Sequence, residues 1–427
     1  MSTDTPPSPF QDASVKFDAA LTRAMNRFTS GALAPYQAAV VRIGFSLTFT
    51  LFLLREWPHR MDLYGTTSPW SFALAKRLIA GNEAFTVLMW SDSRLWAELV
   101  YHGAIAASVM LLLGWRTRLA SVLFMVGVLS LQNRSVFMGD GGDNVIHLMS
   151  IYLVLTRCGQ VWSLDARRRR EEERRRREEK EGEDRQGEGK VGAGMYDRTG
   201  VILWAVVGVG LFTAQVSGFA DLPFFSRGLI PGVGWGLIFW GLWLIHAGWW
   251  WLRRRGESEL RSVVDVMANL VHNGAMLIIV VEVCFIYSTA GWYKIQGSRW
   301  QDGTATYYPF HLDYFNPWPG LSHLLGSSGL MITLITYGTV MVQVAFPFTL
   351  FNRRVKNVLL AVMMCEHASI AVLLGLPFFS LAMIAADAVF LPTGFLRWVG
   401  SKVVALVRRP VEPRQEEPAD ETESVTM

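Results

Sequence analysis

An apolar stretch runs from Val263 to Lys294 and reads VVDVMANLVHNGAMLIIVVEVCFIYSTAGWYK. Its part up to Tyr287 is long enough to cross a bilayer, because a transmembrane helix needs roughly 20 mainly apolar residues. Comparable runs recur along the chain, which has 427 residues and is 51% hydrophobic and 12% aromatic. Soluble proteins of this size do not carry repeated runs of this kind. The sequence therefore predicts an all-α, polytopic transmembrane helix bundle in the cell membrane.

The apolar runs predict about ten spans. Between the first two, the stretch Phe72–Trp90 has the pattern of a helix that rests on the membrane surface. Nothing repeats with a clear period, so a transporter built from inverted repeats has only the span count in its favour. The predicted spans are Pro35–Leu54, Trp96–Leu113, Leu119–Val136, Val145–Leu155, Val201–Val216, Val233–Leu252, Val263–Tyr287, Leu330–Phe351, Val358–Leu376 and Phe379–Phe395.

The distribution of charge predicts the orientation. With a cytoplasmic N-terminus, most of the 40 Lys and Arg residues fall in cytoplasmic loops, as the positive-inside rule requires. Both termini are then cytoplasmic. The resulting segments are 1–34, a cytoplasmic N-terminal segment; 35–158, the first transmembrane half; 159–199, a charged cytoplasmic linker; 200–397, the second transmembrane half; and 398–427, a disordered cytoplasmic tail.

The charged linker predicts one solvated helix over Asp165–Arg185, because opposite charges recur three and four residues apart. An arm that binds anionic lipid headgroups is the other interpretation of this segment. Three cysteines cannot form a disulfide framework. No signal peptide is apparent, because the residues after Met1 contain no apolar core. No phosphate-binding glycine loop, serine nucleophile elbow or nucleic-acid surface is apparent, so the bilayer is the expected partner.

Lys294 is the first candidate for chemistry. It lies at the far membrane boundary beside Trp292, Tyr293 and Trp300, and Tyr307 and Tyr308 follow. Burial favours the neutral form of an amine, and a neutral lysine is a base or a nucleophile. Alternatively, Lys and Trp only anchor the helix end in the headgroup layer. The loop Trp300–Trp318 is rich in aromatic residues and also has two interpretations. It is either a pocket for an amphipathic ring or part of the aromatic belt at the membrane interface.

Two further groups carry polar residues in apolar surroundings. The ninth span contains Glu366 and His367, and ionisable residues at that depth normally face the bundle interior with a partner. His367 is predicted either to move a proton or to fix helix packing. The turn with Arg134 ends in Asp143 and Asn144, which can also serve as a helix N-cap. Asp387 and Glu282 are further acids inside spans, whereas Arg42, His246 and His272 are predicted either to be structural or to snorkel toward the membrane surface. His311 and Asp313 have no partners at zinc-ligand spacing, so no metal site is expected.

These motifs resemble a known family. Ala290-Gly291-Trp292-Tyr293-Lys294-Ile295, followed by Trp300 and Gly303, resembles the Ala-Gly-x-x-Lys-(Leu/Ile)…Trp…Gly pattern of the vitamin K-dependent γ-glutamyl carboxylases. Trp162-Ser163-Leu164-Asp165 is similar to their Trp-Ser-(Leu/Val)-Asp. The turn from Asn133 to Asp143 resembles a signature of the wider horizontally transferred transmembrane (HTTM) superfamily, which also includes bacterial sporulation-delaying-toxin maturation proteins. The resemblance extends from about Ala34 to Pro392.

The resemblance implies a carboxylase-like lyase that uses a reduced, vitamin K-like quinone. Lys294 would be the base that deprotonates the quinol, with His367 as its catalytic partner. The implied binding residues are Trp300, Tyr307, Tyr308, Asp143, Asn144, Arg134 and Glu366. The chain departs from the carboxylases in two ways, since it has no histidine at Asp143–Asn144 and no large soluble region after the last span. The alternative function is a non-catalytic maturation or export factor for a small secreted peptide.

Overall fold

The computed structural model describes residues 9–82, 84–135, 137–186, 198–219, 234–254 and 259–407. Within these ranges the regular structure is entirely helical and contains no strand. The all-α prediction is therefore confirmed. Of the predicted disordered tail, 398–427, the part up to Val407 belongs to the helix Thr393–Val407, and the remainder lies outside the described residues.

Long α-helices alternate with short helical turns along the described part of the chain. The short 3-10 turns occupy Trp57–His59, Val87–Trp90, Asp313–Phe315, Phe346–Phe351 and Ala388–Phe390. The α-helices are α1 (Pro9–Ser30), α2 (Pro35–Glu56), α3 (Arg60–Tyr64), α4 (Phe72–Asn82), α5 (Arg94–Leu113), α6 (Thr117–Gln132), α7 (Gly141–Leu155), α8 (Leu164–Gln186), α9 (Arg198–Val216), α10 (Trp235–Arg254), α11 (Glu259–Gln296), α12 (Ser298–Gln301), α13 (Tyr307–Phe310), α14 (Pro319–Gly326), α15 (Gly329–Ala345), α16 (Arg353–Leu373), α17 (Pro377–Asp387) and α18 (Thr393–Val407).

Several helices are long and apolar enough to cross a membrane. Among the described residues there are six, or up to seven if a bent helix pair counts as one span. This fold is compatible with an integral membrane protein. The six are Pro35–Tyr64, Arg94–Leu113, Arg198–Val216, Glu259–Gln296, Gly329–Phe351 and Arg353–Leu373.

The remaining predicted spans also fall on helices, but these are shorter or less apolar. The helix α6 has 16 residues, and α7 has 15. At about 1.5 Å per residue, α6 is roughly 24 Å long, less than the roughly 30 Å of a bilayer's hydrocarbon core. A count of ten spans therefore stays a prediction. The surface stretch Phe72–Trp90 divides into α4 and the 3-10 turn Val87–Trp90.

The last predicted span, Phe379–Phe395, is not one continuous helix. The segments Pro377–Phe390 and Thr393–Leu406 meet at an angle of 118°. Leu391 is extended at this bend, with φ −63° and ψ 137°, because the ring of the following Pro392 disfavours a helical conformation there. Gln37 of α2 donates a hydrogen bond to the Leu391 carbonyl at 2.8 Å and so fixes the bend to the bundle.

One buried core joins both predicted halves of the chain. Phe45, Phe49 and Phe124 from the first half and Ile279 and Met363 from the second belong to the same buried cluster. Helix α2 lies at its centre, and Gly44 of α2 packs so closely on α17 that any Cβ there would clash with Ala385. Residues far apart in sequence are therefore held together, which matters for the site below.

Two buried polar residues of the bundle, Arg42 and His272, have structural roles. Arg42 is fully buried and donates to the carbonyls of Leu111, Leu112 and Trp162. His272 accepts a hydrogen bond from the Arg157 amide, as the predicted structural role implies. Its other ring nitrogen lies 2.8 Å from the carbonyl oxygen of Leu33.

The Trp-Ser-Leu-Asp motif also has a structural role. The Asp165 carboxylate accepts from the amides of Arg116 and Thr117 at 2.9 and 2.8 Å and from the Thr117 hydroxyl at 2.8 Å. It thus satisfies free amides at the start of α6, as an N-terminal cap does. The charged segment after it forms the long helix α8, with Arg–Glu pairs one turn apart.

Candidate functional site

Gly291 is the residue that brings the lysine helix close to its neighbour. It is buried in α11, and a Cβ at this position would lie 2.6 Å from Cγ2 of Val344 in α15. Only glycine allows this approach without a shift. Tyr287 and Lys294, four residues before and three after, lie on the same face of α11. Both side chains therefore point toward α15 and the helices behind it.

Lys294 begins a string of polar contacts between three helices. Its Nζ donates to Oε1 of Gln343 in α15 at 2.8 Å, and Nε2 of Gln343 donates to Oε1 of Glu366 in α16 at 2.8 Å. A protonated lysine can only donate, so with Lys294 charged the carbonyl end of Gln343 faces it and the NH₂ end faces the acid. Nζ also lies 5.2 Å from the centroid of the Trp300 ring, a cation–π distance. Lys294 is therefore directed between helices, toward the ninth predicted span.

A second string lies deeper in the bundle. The Tyr287 hydroxyl donates to Oδ1 of Asp387 at 2.8 Å and lies 3.0 Å from Nε2 of His367. All three side chains are 2% exposed or less. A hydroxyl has one proton, so while it donates to Asp387 its oxygen accepts from Nε2–H of His367. Nδ1 of His367 and Oδ2 of Asp387 are then buried without a hydrogen-bond partner among the described residues.

The turn before α7 packs against Phe379, and the ring of Phe379 in turn contacts His367. A Cβ on Gly142 would lie 2.7 Å from Cα of Phe379, and the Phe379 ring is 5.7 Å from that of His367. The N-cap of α7 is Asp140, a correction to the prediction that Asp143 and Asn144 cap it. The reason is a capping box, in which Asp140 accepts from the Asp143 amide and Asp143 accepts from the Asp140 amide.

Asp143 is buried in this turn, outside the apolar run that begins at Val145, whereas Asn144 is exposed. Burial raises the pKa of Asp143 to about 6, and the hydrogen bond from the Asp140 amide opposes the rise. A carboxyl group with this pKa changes its charge near neutral pH, so the turn is sensitive to pH.

The structure does not join the other predicted binding residues to Lys294. Tyr307 and Tyr308 are 43% and 42% exposed. Tyr307 stacks on His311 with ring centroids 4.0 Å apart, and Tyr308 lies beneath Arg299. Arg134 lines a separate small cavity. Of the predicted site residues, Lys294, Trp300 and Glu366 thus come together, and His367 lies in the second string. Asp143 belongs to the turn that is separated from His367 by the ring of Phe379.

Two members of the site are not among the residues that the sequence pattern predicts. Gln343 is a buried amide within the otherwise apolar end of α15. Tyr287 marks the end of a predicted span, but it also precedes Lys294 by two helical turns and so shares its face. A search for polar residues on the same face as Lys294 would find Tyr287. Nothing in the sequence pairs Gln343 with Lys294.

The two strings together can accept, hold and pass protons. They contain an amine, two carboxyl groups, an imidazole and a phenol, which are the usual general acids and bases. Among the described residues, no three His, Cys, Asp or Glu side chains come together in a way that could hold a metal ion. Comparison with protein-family models, with curated proteins and with solved structures finds no match to this chain.

Proposed function

We propose that this chain is an integral membrane enzyme in which Lys294 takes a proton from the hydroxyl of a reduced quinone. The observation that supports this is the hydrogen-bonded string from Lys294 through Gln343 to Glu366, with Trp300 beside the amine. A lysine that only anchors a helix end would extend into the headgroup layer. Here the amine is drawn back between helices by a neutral amide.

The residues of the site fit a hydroxyl-bearing aromatic ring. Nδ1 of His367 is a buried nitrogen that no described residue satisfies, and buried polar atoms normally have a partner. Phe379 and Trp300 supply apolar surface near the two strings. A bound hydroquinone would supply the acidic hydroxyl and the reducing electrons, and dioxygen would be the oxidant that accepts them.

The chain's own residues would then act in sequence. An N–H bond forms on Lys294 as the hydroxyl O–H bond breaks, and the positive charge appears on Nζ. The carbonyl oxygen of Gln343 stabilises this ammonium, and its NH₂ group stabilises the carboxylate of Glu366. The face of the Trp300 ring also favours the ammonium form. Nδ1 of His367 accepts a hydrogen bond from a hydroxyl group of the hydroquinone. The Tyr287 hydroxyl fixes the imidazole through Nε2.

We also propose ten spans with both termini in the cytoplasm, which places Lys294 at the external face. The support is that nine of the predicted spans fall mainly on one helix each, the last falls on a bent helix pair, and Lys and Arg concentrate in the loops on one side. Alkaline phosphatase fused after Met427 should be inactive in cells, and fused within 304–306 it should be active. The opposite pattern would reverse the orientation and move the amine to the cytoplasmic face.

Substitution of Lys294 separates a base from an anchor. Purified protein is incubated with menadiol, a reduced naphthoquinone, and oxidised products including the epoxide are measured. Lys294→Met should abolish turnover, and Lys294→Arg should do so too, because arginine keeps the charge but does not become neutral. Lys76→Met, at an exposed position of α4, is the matched control and should retain full turnover. Full turnover in Lys294→Arg would show that the lysine is an anchor.

The alternative is a maturation or export factor for a small secreted peptide, and one observation favours it. Tyr293, Tyr314 and Trp318 are 80%, 87% and 60% exposed at the lysine end of the bundle, and aromatic side chains are common anchors for peptides. If menadiol is not consumed while a Tyr314→Ala variant loses binding of a secreted peptide from the same cells, this alternative replaces the enzyme.

A further inference from the structure

Arg134 is a buried cation without a counter-charge among the described residues. It follows α6 directly, and its side chain is only 2% exposed. Nη1 is buried and has no hydrogen-bond partner in the described part of the chain. The position of the turn is fixed by its neighbours, since Asn133 donates to the Phe85 carbonyl at 2.9 Å. The guanidinium is therefore held in place rather than free to reach water.

A cation in this situation needs a partner. Removing a charged group from water is costly unless an opposite charge or several hydrogen bonds compensate. Asp92 is the acid that interacts electrostatically with Arg134, but its side chain is exposed and no ion pair between the two is formed. Among the residues that the structure describes, none therefore forms a direct ion pair with the guanidinium.

Arg134 lines a small cavity at the start of α5. The other lining residues include Thr66, Ser91 and Ser93, which carry hydroxyl groups, and the acid Asp92. Ser93 is the N-cap of α5 and accepts from the Trp96 amide at 3.2 Å. The first turn of a helix of 20 residues presents amides and partial positive charge. Two independent sources of positive potential therefore meet in one cavity.

We propose that this cavity, the Arg134 cavity, binds a small monovalent inorganic anion. Helix N-termini and guanidinium groups are both established anion partners in proteins, and the serine and threonine hydroxyls can donate to the same ion. The cavity is small, which excludes phosphate esters and lipid headgroups. Chloride and bicarbonate share the required charge and size. The site is separate from Lys294, so it does not depend on the quinol chemistry proposed above.

The test measures anion-dependent stability of the full chain in detergent. Protein in sodium gluconate, whose anion is too large for the cavity, is titrated with sodium chloride or with sodium bicarbonate at constant ionic strength. The Tm is followed by tryptophan fluorescence. An anion that binds only the folded state raises the Tm in a saturable way. A saturable rise with chloride, with bicarbonate or with both supports the proposal, and the more effective salt identifies the anion.

Variants connect the effect to the residue. Arg134→Gln should abolish the anion-dependent rise, whereas Arg77→Gln, at an exposed position of α4, should keep it. Asp92→Asn should lower the anion concentration needed by several-fold, because a repelling charge is removed. If Arg134→Gln does not fold, Arg134→Lys serves instead and should weaken binding, since the bidentate fork is lost.

Two results would overturn the proposal. An equal rise in the wild type and in Arg134→Gln would show a general salt effect. No rise in the wild type with either salt would show that the cavity binds neither anion.

Discussion

The contact between Gly291 and Val344 permits a quantitative test of how the lysine is positioned. Gly291→Ala places a methyl group 2.6 Å from Cγ2 of Val344, about 1 Å inside the roughly 3.5–4.0 Å at which two carbon atoms make contact. The helices α11 and α15 must then move apart, or Val344 must leave its rotamer. Lys294 lies about one turn after Gly291 and Gln343 directly precedes Val344, so the hydrogen bond between them is expected to lengthen.

The size of the effect follows from two opposing terms. Overpacking of a buried contact lowers the free energy of unfolding by about 1–3 kcal/mol. Replacing Gly by Ala inside a helix raises it by about 1 kcal/mol. Gly274→Ala is a matched control in the same helix, because a Cβ there meets nothing within 4 Å. We therefore expect Gly291→Ala to be about 1–3 kcal/mol less stable than Gly274→Ala, since both gain the same helix propensity.

The assay is unfolding of the detergent-solubilised protein by denaturant, combined with menadiol turnover. Val344→Ala removes Cγ2, and the atom of Val344 that then lies nearest to the new methyl group is the backbone nitrogen at 3.4 Å. The double variant Gly291→Ala/Val344→Ala should therefore be more stable than the sum of the two single effects predicts. Under the proposed function, turnover of Gly291→Ala should fall by up to about 100-fold, because a misplacement of about 1 Å can have that effect.

Three outcomes would count against this reasoning. Equal stability of Gly291→Ala and Gly274→Ala would show that α11 and α15 are not in tight contact. Additive effects of the two substitutions would show that the new methyl group does not meet the Val344 side chain. Unchanged turnover with reduced stability would show that Gly291 and Val344 are in contact but that this contact does not position Lys294 for the reaction.

The remaining predictions concern other parts of the bundle. Asp143 has a pKa of about 6 in the fold against a usual 3.8, so the folded protein keeps a proton that the unfolded chain releases, and the free energy of unfolding should decrease as pH rises from about 4 to 6, by up to about 3 kcal/mol. Asp143→Asn should flatten this dependence in thermal unfolding measured across that range, and an unchanged profile would assign it to another group. Asp165→Ala removes the cap of α6 and should lower the free energy of unfolding by about 1–2 kcal/mol, whereas Asp165→Asn should lose less. Asn273→Ala removes the side-chain hydrogen bonds to the backbone of Phe28, Gly31 and Leu33, so trypsin should cleave more rapidly after Arg27, and an unchanged rate would show that α1 is held by other contacts.

Helix positions can be predicted from the sequence because they depend on local pattern. The apolar run from Val263 and the glycine-containing turn before Val145 predict α11 and α7 closely. The hydrophobic pattern does not predict the bend at Leu391, although Pro392 marks it, because the apolar run continues on both sides of the proline. The prediction of the α7 N-cap at Asp143 rather than Asp140 is wrong because both are aspartates beside glycines, and only backbone geometry distinguishes N-cap from N3.

Composition and hydrophobic pattern are enough to predict that the chain is helical and apolar and that Lys294 lies near the end of a long apolar helix. Hydrophobic period and charge distribution are local quantities, and they can be read without knowing which helices touch. The packing of the helices was needed to find that Lys294 contacts Gln343 and Gln343 contacts Glu366, and that Tyr287 connects His367 with Asp387. It also separated Arg134 from that site. The physical reason is that these contacts join helices 23 to 100 residues apart, and the close packing that selects them arises from the whole core rather than from any one segment.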